Sequence, residues 1–410
     1  MTPLTLEGRE AYNGVAHEVI VAMVWQNPLP SIYTQLSDAE LKVRIQAARE
    51  TLGARLLILG HHYQQDGVIE FADFTGDSFE LSLKASQQRG LDYVIFCGVH
   101  FMAESADILT APHVKVILPD LGAGCSMADM ANLDQTLECW EQLQEQCLDQ
   151  TIVPITYMNS SAAIKAFVGE HGGAVCTSSN CRSILEWGLK GGAAPKRGGK
   201  TKILFFPDQH LGRNTAYSMG YPLESMIVWD PRQDLGGNDA KQIQQADFVL
   251  WKGHCSVHQL FRAEHVDAVR ATYPGMQVIV HPECRWEVVQ KADLVGSTAY
   301  ICQQIDKAPP GSQWAVGTEV HMIHRLAKRH PEQKIIVLSD CQCLCTTMYR
   351  IDRPHLCWVI ENLVQGKVVN PISVDEKTRK WALVALDRML ATKGTGTPSM
   401  KLQPTSDTVD

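Results

Sequence analysis

The sequence has no long hydrophobic run and no concentration of basic residues. None of its apolar segments approaches the roughly 18 consecutive residues that a membrane-spanning helix needs. Lys and Arg total 37 against 45 Asp and Glu, which gives a formal net charge of -8 with no basic block or stripe. These absences argue against a membrane partner and against a nucleic-acid partner.

The first residues also do not have the pattern of a secretory signal, because Met1–Glu10 contains no basic segment followed by an apolar one. We therefore predict a cytoplasmic location, where disulfides are rare. The 13 cysteines are an unusual number for that compartment, and an odd number cannot be fully paired. We expect the cysteines that follow strands to serve a metal or catalysis, and the others to fill the core.

Three cysteine-containing turns follow short apolar runs at widely spaced positions. Runs of this length and composition are typical of buried strands. Ligands of α/β proteins bind at the carboxyl ends of strands, so these turns predict the functional centre. The runs and their turns are Val116–Leu118 before Cys125, Phe248–Trp251 before Cys255, and Ile335–Leu338 before Cys341, Cys343 and Cys345.

The remaining chain alternates short apolar runs with helical patterns, which is typical of parallel sheets covered by helices. The segment Asp38–Thr51 predicts one such helix, with Ser37 and Glu40 forming a capping box. The pattern repeats about every 100 residues, so we predict a multi-domain α/β protein. The predicted divisions are an N-terminal extension at 1–37, α/β domains at 38–148, 149–256 and 257–392, the last with C-terminal helices, and a disordered tail at 393–410.

Three thiolates from distant segments do not match the closely paired cysteines of a structural zinc site. A cage of three cysteines would leave one metal position open, as in an iron–sulfur cluster that acts as a Lewis acid on its substrate. The spacing alone leaves two alternatives to such a cluster. In the first, the cysteines are unrelated thiols. In the second, they belong to a zinc site that His254 or His258 completes.

Polar residues at other strand ends suit a small anionic substrate. Thr177–Ser178 and Ser297–Thr298 stand at predicted helix N-termini, where N–H groups and hydroxyls bind carboxylate or phosphate. Ordinary helix capping explains each pair equally well. His281 and Glu283 are a candidate acid–base pair. The side chains that follow the first strand, at positions 61 and 63, would line the same pocket or be hydrogen-bonded within the core.

Eight segments together are similar to the quinolinate synthase family, the iron–sulfur enzymes of NAD biosynthesis. The similarity runs from about residue 38 to residue 390. The segments are Gly60–Tyr63, Gly76–Ser78, Gly98–Glu104, Tyr157–Ala163, Pro207–Arg213, Gly253–His258, His281–Glu283 and Val295–Thr298.

This resemblance implies three homologous αβα domains around a pseudo-threefold axis, with the active site between them. It also implies one [4Fe-4S] cluster held by one cysteine from each domain: Cys125, Cys255 and Cys345. Cys341 and Cys343 lie in the same CxCxC segment and are the alternatives for the third ligand.

The implied activity is that of a transferase-type condensing enzyme. It would join iminoaspartate to dihydroxyacetone phosphate and give quinolinate, phosphate and water, with the cluster as the Lewis acid for dehydration. Another enzyme would supply iminoaspartate. The catalytic roles fall to Tyr63, Glu283 and His258. The substrate-binding roles fall to His61, Ser78, Tyr157, Asn159, Ser178, His281, Ser297 and Thr298.

Two other functions would use the same residues. A non-enzymatic iron–sulfur sensor would bind a partner protein in a cluster-dependent way and would turn over no substrate. A zinc hydrolase would use His and Glu side chains without sulfide. The many His, Tyr, Ser and Glu residues at strand ends favour the enzyme over the sensor.

Overall fold

The structure is a computed structural model that describes residue 26, residues 28–340 and residues 343–392. Most of the predicted N-terminal extension and the whole predicted tail at 393–410 lie outside these residues. So does Cys341, one of the alternatives for the third metal ligand. None of the described helices is long and apolar enough to cross a membrane.

Fourteen strands occur in the described part of the chain, most of them short. Strands β1 to β4 span Leu56–His61, Phe74–Gly76, Tyr93–Cys97 and Lys115–Ile117. Strands β5 to β9 span Thr151–Tyr157, Ala174–Cys176, Thr201–Phe206, Met226–Trp229 and Phe248–Trp251. Strands β10 to β14 span Gln277–Val280, Leu294–Val295, Gln313–Gly317, Lys334–Val337 and Pro371–Ile372.

Helices connect most of these strands. The α-helices before β7 span Ser31–Thr34, Asp38–Leu52, Asp66–Ile69, Ser78–Gln87, His100–Leu109, Ser126–Asp129, Leu133–Gln146, Ala162–Glu170 and Cys181–Leu189. The later α-helices span Gln209–Ser218, Ala240–Gln245, Ala263–Thr272, Trp286–Lys291, Thr298–Lys307, Val320–Arg329, Arg353–Val364 and Glu376–Ala391. Short 3-10 helices lie at Gly53–Arg55, Leu223–Ser225, Asp234–Gly237, His258–Leu260 and Met348–Arg350.

The strands form three separate sheets with related topology. Their orders are β14-β4-β3-β1-β2, β6-β5-β7-β9-β8 and β11-β10-β12-β13. In each sheet, the first strand along the chain lies between the second and the third. All pairs are parallel except β14 with β4. The predicted α/β class with several parallel sheets is therefore confirmed.

The apolar runs form strands because a sheet with helices on both faces buries every side chain along its length. All residues of β1, β5 and β9 are buried, in agreement with their nearly continuous apolar sequences. Polar side chains can then reach a cavity only past the strand ends. This is why the turns after the strands hold the chemically active residues.

The helix predicted near residue 38 is confirmed as Asp38–Leu52. The Ser37 side chain accepts a hydrogen bond from the Glu40 amide, and Glu40 Oε2 accepts one from the Ser37 amide at 2.8 Å. Because both bonds satisfy amides that a helix start leaves unpaired, this capping box fixes the N-terminal end of the helix.

The C-terminal segment packs on the first and second sheets. Helix Arg353–Val364 joins the core around β1 and β3, and its Glu361 accepts two hydrogen bonds from Arg44, at 2.6 and 2.7 Å. Helix Glu376–Ala391 lies against helix Ala162–Glu170 so closely that a Cβ on Gly169 would be 2.0 Å from the Trp381 carbonyl oxygen. The domain boundaries written above remain a prediction, as does the pseudo-threefold axis.

Candidate active site

One cavity gathers side chains from the strand ends of all three sheets. Its lining comes from the turns after β1, β2, β5, β6, β10 and β11 and from the three cysteine turns. Of the site residues predicted from the sequence, all but Ser297 line this cavity. They are His61, Tyr63, Ser78, Cys125, Tyr157, Asn159, Ser178, Cys255, His258, His281, Glu283, Thr298 and Cys345.

Each of the three cysteines lies where two hydrophobic cores meet. Cys125 packs against the cores of the first and second sheets, and Cys255 packs against those of the second and third. Cys345 packs against the cores of the third and first sheets. The three strand-to-cysteine turns therefore converge, as their repeated pattern predicts. By contrast, Cys343 is fully buried in the third core, which favours Cys345 as the residue facing the cavity.

The three thiols lie within electrostatic range of one another. Burial, with a smaller contribution from the nearby Cys345, raises the pKa of Cys125 to about 12. Burial also raises the pKa of Cys255 well above its usual value, and Glu283, Cys125 and Cys345 add to this effect. Thiols in such a place stay protonated unless a cation compensates for their charge. A metal centre would deprotonate them, so the donor set fits a metal cofactor.

The Glu283 carboxylate contacts two histidine rings that stack on each other. Its Oε2 lies 3.1 Å from His281 Nδ1 and 3.3 Å from His258 Nδ1. The two rings are 4.5 Å apart with an interplanar angle of 13°. All three side chains are almost fully buried, which orients the carboxylate with little freedom to move. The predicted HxE pair thus has the contact that an acid–base pair requires.

The charge and the unused atoms of Glu283 define what this carboxylate can do. Burial raises its pKa, but the close approach of the His258 and His281 rings outweighs burial and holds the pKa below its usual range. Within the described residues, Glu283 Oε1 and His258 Nδ1 are buried without a hydrogen-bond partner. The ligating atoms of Cys255, His258 and Glu283 also lie within 4.8 Å of one another. An ionised carboxylate with an unpaired oxygen can accept a proton or contact a cation.

His61 is the last residue of β1, and Tyr63 lies in the turn that follows it. Their rings meet edge to face at 4.8 Å, and His61 Nδ1 accepts a hydrogen bond from the Tyr63 amide at 3.1 Å. Burial holds the pKa of His61 well below its usual value and raises that of Tyr63 well above. Both side chains are therefore neutral near pH 7 and can donate hydrogen bonds to an anionic substrate.

Tyr157, Asn159 and Ser178 contribute a third group of polar side chains. Burial raises the pKa of Tyr157 strongly and the charge of Glu283 raises it further, whereas a hydrogen bond with Ser178 lowers it. Ser178 lies in the turn after β6, and the following helix begins only at Cys181 with Asn180 as its N-cap. Ser178 therefore faces the cavity from the turn, not from the first position of that helix.

Two helix N-termini face the cavity. Ser78 is the first residue of its helix, and Asp77 caps that helix by accepting hydrogen bonds from the amides of residues 79 and 80. Thr298 is the first residue of another helix, capped by Ser297, whose hydroxyl accepts from the Tyr300 amide at 3.3 Å. Ser297 thus makes the capping contact that was the alternative explanation for it, while Thr298 lines the cavity.

Two residues that contact the lining of the cavity carry no signal in the sequence. Thr318 follows β12, and its hydroxyl lies 2.9 Å from that of Tyr63 and 3.2 Å from His258 Nε2. An isolated threonine at a strand end is too common to single out. Lys165 is fully buried, donates to the Ser160 carbonyl and lies 5.4 Å from the Phe101 ring. Lysines in helices usually point to solvent, so the sequence gives no indication that Lys165 is buried.

Parallel α/β sheets with three convergent thiols and a buried acid–base pair around one cavity define an enzyme site suited to a metal cofactor. A family model described as quinolinate synthetase A protein, NadA, matches residues 43–391. The chain belongs to the quinolinate synthase family, and it is an enzyme of NAD biosynthesis.

Curated relatives support this assignment over most of the chain. A quinolinate synthase of Acidobacterium capsulatum is 56% identical over 365 residues, covering 88% of this chain and 95% of the relative. One of Rhodopirellula baltica is 52% identical over 372 residues, covering 88% and 93%. One of Anoxybacillus flavithermus is 50% identical over 373 residues, covering 91% and 99%. The resemblance stated from the motifs is thereby confirmed.

Proposed function

We propose that the chain condenses iminoaspartate with dihydroxyacetone phosphate and releases quinolinate, phosphate and two waters. The observation that carries the proposal is the convergence of three thiols, the His258–Glu283–His281 group and Tyr63 on one buried cavity. Family membership supplies the product, and the cavity supplies groups for carboxylates, for a metal cofactor and for proton transfer. The cytoplasmic location remains a prediction from the sequence.

For the cofactor we propose a [4Fe-4S] cluster held by Cys125, Cys255 and Cys345. Three thiols that are close together, buried and drawn from three sheets fit a cluster with one iron free of protein ligands. When bound, such a cluster would supply a Lewis acid for the loss of a substrate hydroxyl. Glu283, whose Oε1 has no hydrogen-bond partner among the described residues, lines the same cavity, so a protein carboxylate is available beside the open position.

The substrate carboxylates would bind at neutral donors and helix N-termini. His61, Ser78 and Ser178 line the cavity and offer hydrogen-bond donors, and Ser78 also offers the start of its helix. Thr298 would hold phosphate or a carboxylate at the start of helix Thr298–Lys307, with Ser297 fixing that helix end. Tyr157, Asn159 and His281 complete the lining.

Proton transfer would use Glu283 and Tyr63. Glu283 is ionised and has a free oxygen, so it can act as the general base. Tyr63 is kept neutral by burial, so it can donate a proton or a hydrogen bond as negative charge develops. His258 lies between them, 3.3 Å from Glu283 Oε2 and 3.2 Å from the Thr318 hydroxyl, and can relay or stabilise the proton.

A second function, a hydrolase with a single zinc ion, is favoured by one observation. Cys255, His258 and Glu283 place a sulfur, a nitrogen and an oxygen within 4.8 Å of one another, which is the donor set of a mononuclear site. It leaves Cys125 and Cys345 without a role, and for that reason we rank it below the synthase.

The test is a metal and activity assay on protein purified without oxygen. We expect about four irons and four sulfides per chain, as a [4Fe-4S] cluster requires. We also expect an optical spectrum that quinolinate perturbs and formation of quinolinate from the two proposed substrates. Zinc without sulfide would support the hydrolase. A cluster that neither responds to quinolinate nor supports turnover would support an iron–sulfur sensor and refute the proposal.

A further inference from the structure

Asn214 contacts the main chain on both sides of Glu283. Its Nδ2 donates to the Pro282 carbonyl at 2.8 Å and to the Cys284 carbonyl at 2.9 Å. Asn214 is 2% exposed and lies in the helix Gln209–Ser218, which follows β7 of the second sheet. Glu283 follows β10 of the third sheet. One side chain therefore fixes the Glu283 turn from a different sheet.

The turn needs an external hydrogen-bond donor, because its own backbone hydrogen bonds leave the Pro282 and Cys284 carbonyls unpaired. The Cys284 amide donates to the His281 carbonyl at 3.0 Å, which closes a β-turn with Pro282 and Glu283 at its centre. Beyond β10 no neighbouring strand is available to the carbonyls of residues 282 and 284. Buried carbonyls without a donor are costly, and the two hydrogens of one amide nitrogen satisfy both.

The hydrogen bonds also fix the orientation of the Asn214 amide. With Nδ2 toward the two carbonyls, its Oδ1 has no hydrogen-bond partner among the described residues. The reverse orientation would set an oxygen against two carbonyl oxygens. This orientation satisfies both carbonyls of the turn and leaves the Oδ1 atom of Asn214 unpaired. Asn214 is also absent from the lining of the cavity, so any effect on the reaction passes through other residues.

We propose that Asn214 is a positioning residue for Glu283, an inference that rests on the proposed function of Glu283 as the general base. The two hydrogen bonds fix the backbone from which the carboxylate extends toward His258 and His281. A displacement of about 1 Å in a catalytic group can cost roughly a hundredfold in rate. We therefore expect the loss of this amide to slow turnover and to leave substrate affinity largely unchanged.

The experiment is a double-mutant cycle with Asn214→Ala and Glu283→Gln in the full-length, cluster-containing protein. We expect Asn214→Ala to lower kcat by about tenfold or more, with KM changed less than about threefold and iron content unchanged. If Asn214 acts through Glu283, the same substitution in the Glu283→Gln background should change kcat by less than about twofold. Multiplicative losses, or a normal kcat in Asn214→Ala, would overturn the inference.

Thr215→Val is the matched control. Thr215 lies in the same helix, is 1% exposed and donates its hydroxyl to the Leu211 carbonyl at 2.7 Å within that helix. It should reproduce any loss that comes from disturbing the helix alone. If Glu283→Gln itself has a normal kcat, the proposed role of Glu283 fails and this inference fails with it. If Glu283→Gln retains only a small residual kcat and Asn214→Ala is normal, only the inference fails.

Asn214→Asp keeps the test decisive if the alanine variant does not fold. A protonated aspartic acid still donates one hydrogen bond to the turn, whereas its carboxylate repels both carbonyl oxygens. We expect the kcat of this variant, relative to the parent protein, to fall as pH rises through the titration of the new carboxyl. A pH profile parallel to that of the parent protein would overturn the inference.

Discussion

The hydroxyl oxygens of Tyr63 and Thr318 lie 2.9 Å apart, although the two residues follow strands of different sheets. Thr318 is also 3.2 Å from His258 Nε2, so one hydroxyl joins two of the proposed catalytic side chains. This contact crosses from the first sheet to the third. The geometry of these proposed catalytic side chains therefore depends on the relative position of the two sheets.

We expect Thr318→Val to lower kcat about tenfold, because a neutral hydrogen bond contributes about 1 kcal/mol and about 1.4 kcal/mol changes a rate tenfold. The substitution preserves the shape of the side chain and removes the hydroxyl. It also removes a hydrogen bond that lowers the pKa of Tyr63, so Tyr63 should become a weaker acid. Steady-state kinetics of Thr318→Val and Thr318→Ser will check this. Equal losses in both variants would show that packing matters here and the hydroxyl does not.

Replacing Cys125, Cys255 or Cys345 by Ala should abolish both the bound iron and the activity. Each residue is proposed to hold the cluster, and two thiols cannot replace three. Cys302→Ala is the control, because Cys302 is half-buried in the helix Thr298–Lys307 and is not part of the cavity lining. Iron, sulfide and turnover should be measured on anaerobically prepared protein. Full activity in any of the three variants would remove that residue from the ligand set.

Gly253→Ala should destabilise the Cys255 turn. A Cβ at this position would lie 2.0 Å from the Pro207 carbonyl oxygen, a backbone atom that cannot rotate away. We expect a loss of roughly 2–4 kcal/mol in the free energy of unfolding, as for other steric clashes in a packed interior. Thermal unfolding will measure it against Gly198→Ala, where no atom lies within 4 Å of the added methyl. Equal stability of the two variants would contradict the prediction.

Lys202 should make stability depend on pH. Its buried ammonium donates to the carbonyls of Ile243, at 2.6 Å, and Ala246, and burial lowers its pKa from 10.5 to about 8. Between these values the unfolded chain binds more protons than the folded one, so stability rises with pH across this window. Relative to Lys202→Met, the parent protein should gain about 3 kcal/mol in free energy of unfolding across this window, because each pKa unit corresponds to about 1.4 kcal/mol.

Urea unfolding of both proteins at several pH values from about 7.5 to 10.5 will test this prediction for Lys202. The comparison with Lys202→Met cancels the other groups that titrate in the same range. A difference in free energy of unfolding that stays constant across the series would show that the amine has an ordinary pKa in the folded protein.

The strands and the turns that follow them could be predicted from the sequence. A strand buried on both faces has a short apolar sequence. The predicted run at Phe248–Trp251 matches β9, and the run at Ile335–Leu338 is shifted by one residue from β13. Since parallel strands place their polar turns at one edge, the residues of those turns could be expected to share a cavity. The cysteine turns followed from the same reasoning.

The contacts that join different sheets could not be predicted. Thr318, Asn214 and Lys165 owe their positions to elements far apart in the chain, and their residue types are ordinary for a strand end or a helix. The packing of the C-terminal helices could not be predicted either. An amphipathic pattern shows that one face of a helix will be buried, but it does not show which sheet buries that face. For Ser297, local helix capping and ligand binding use the same hydroxyl, and one sequence cannot separate them.

The place of each cysteine between two cores has a consequence for the order in which the protein matures. Each of these three hydrophobic cores contacts two of the three thiols and none contacts all three, so a cofactor that needs all three requires every sheet to be formed and docked. The amount of bound cofactor then reports whether all three sheets have folded and docked correctly. A defect in any one sheet, however distant from the cavity, should appear first as missing metal.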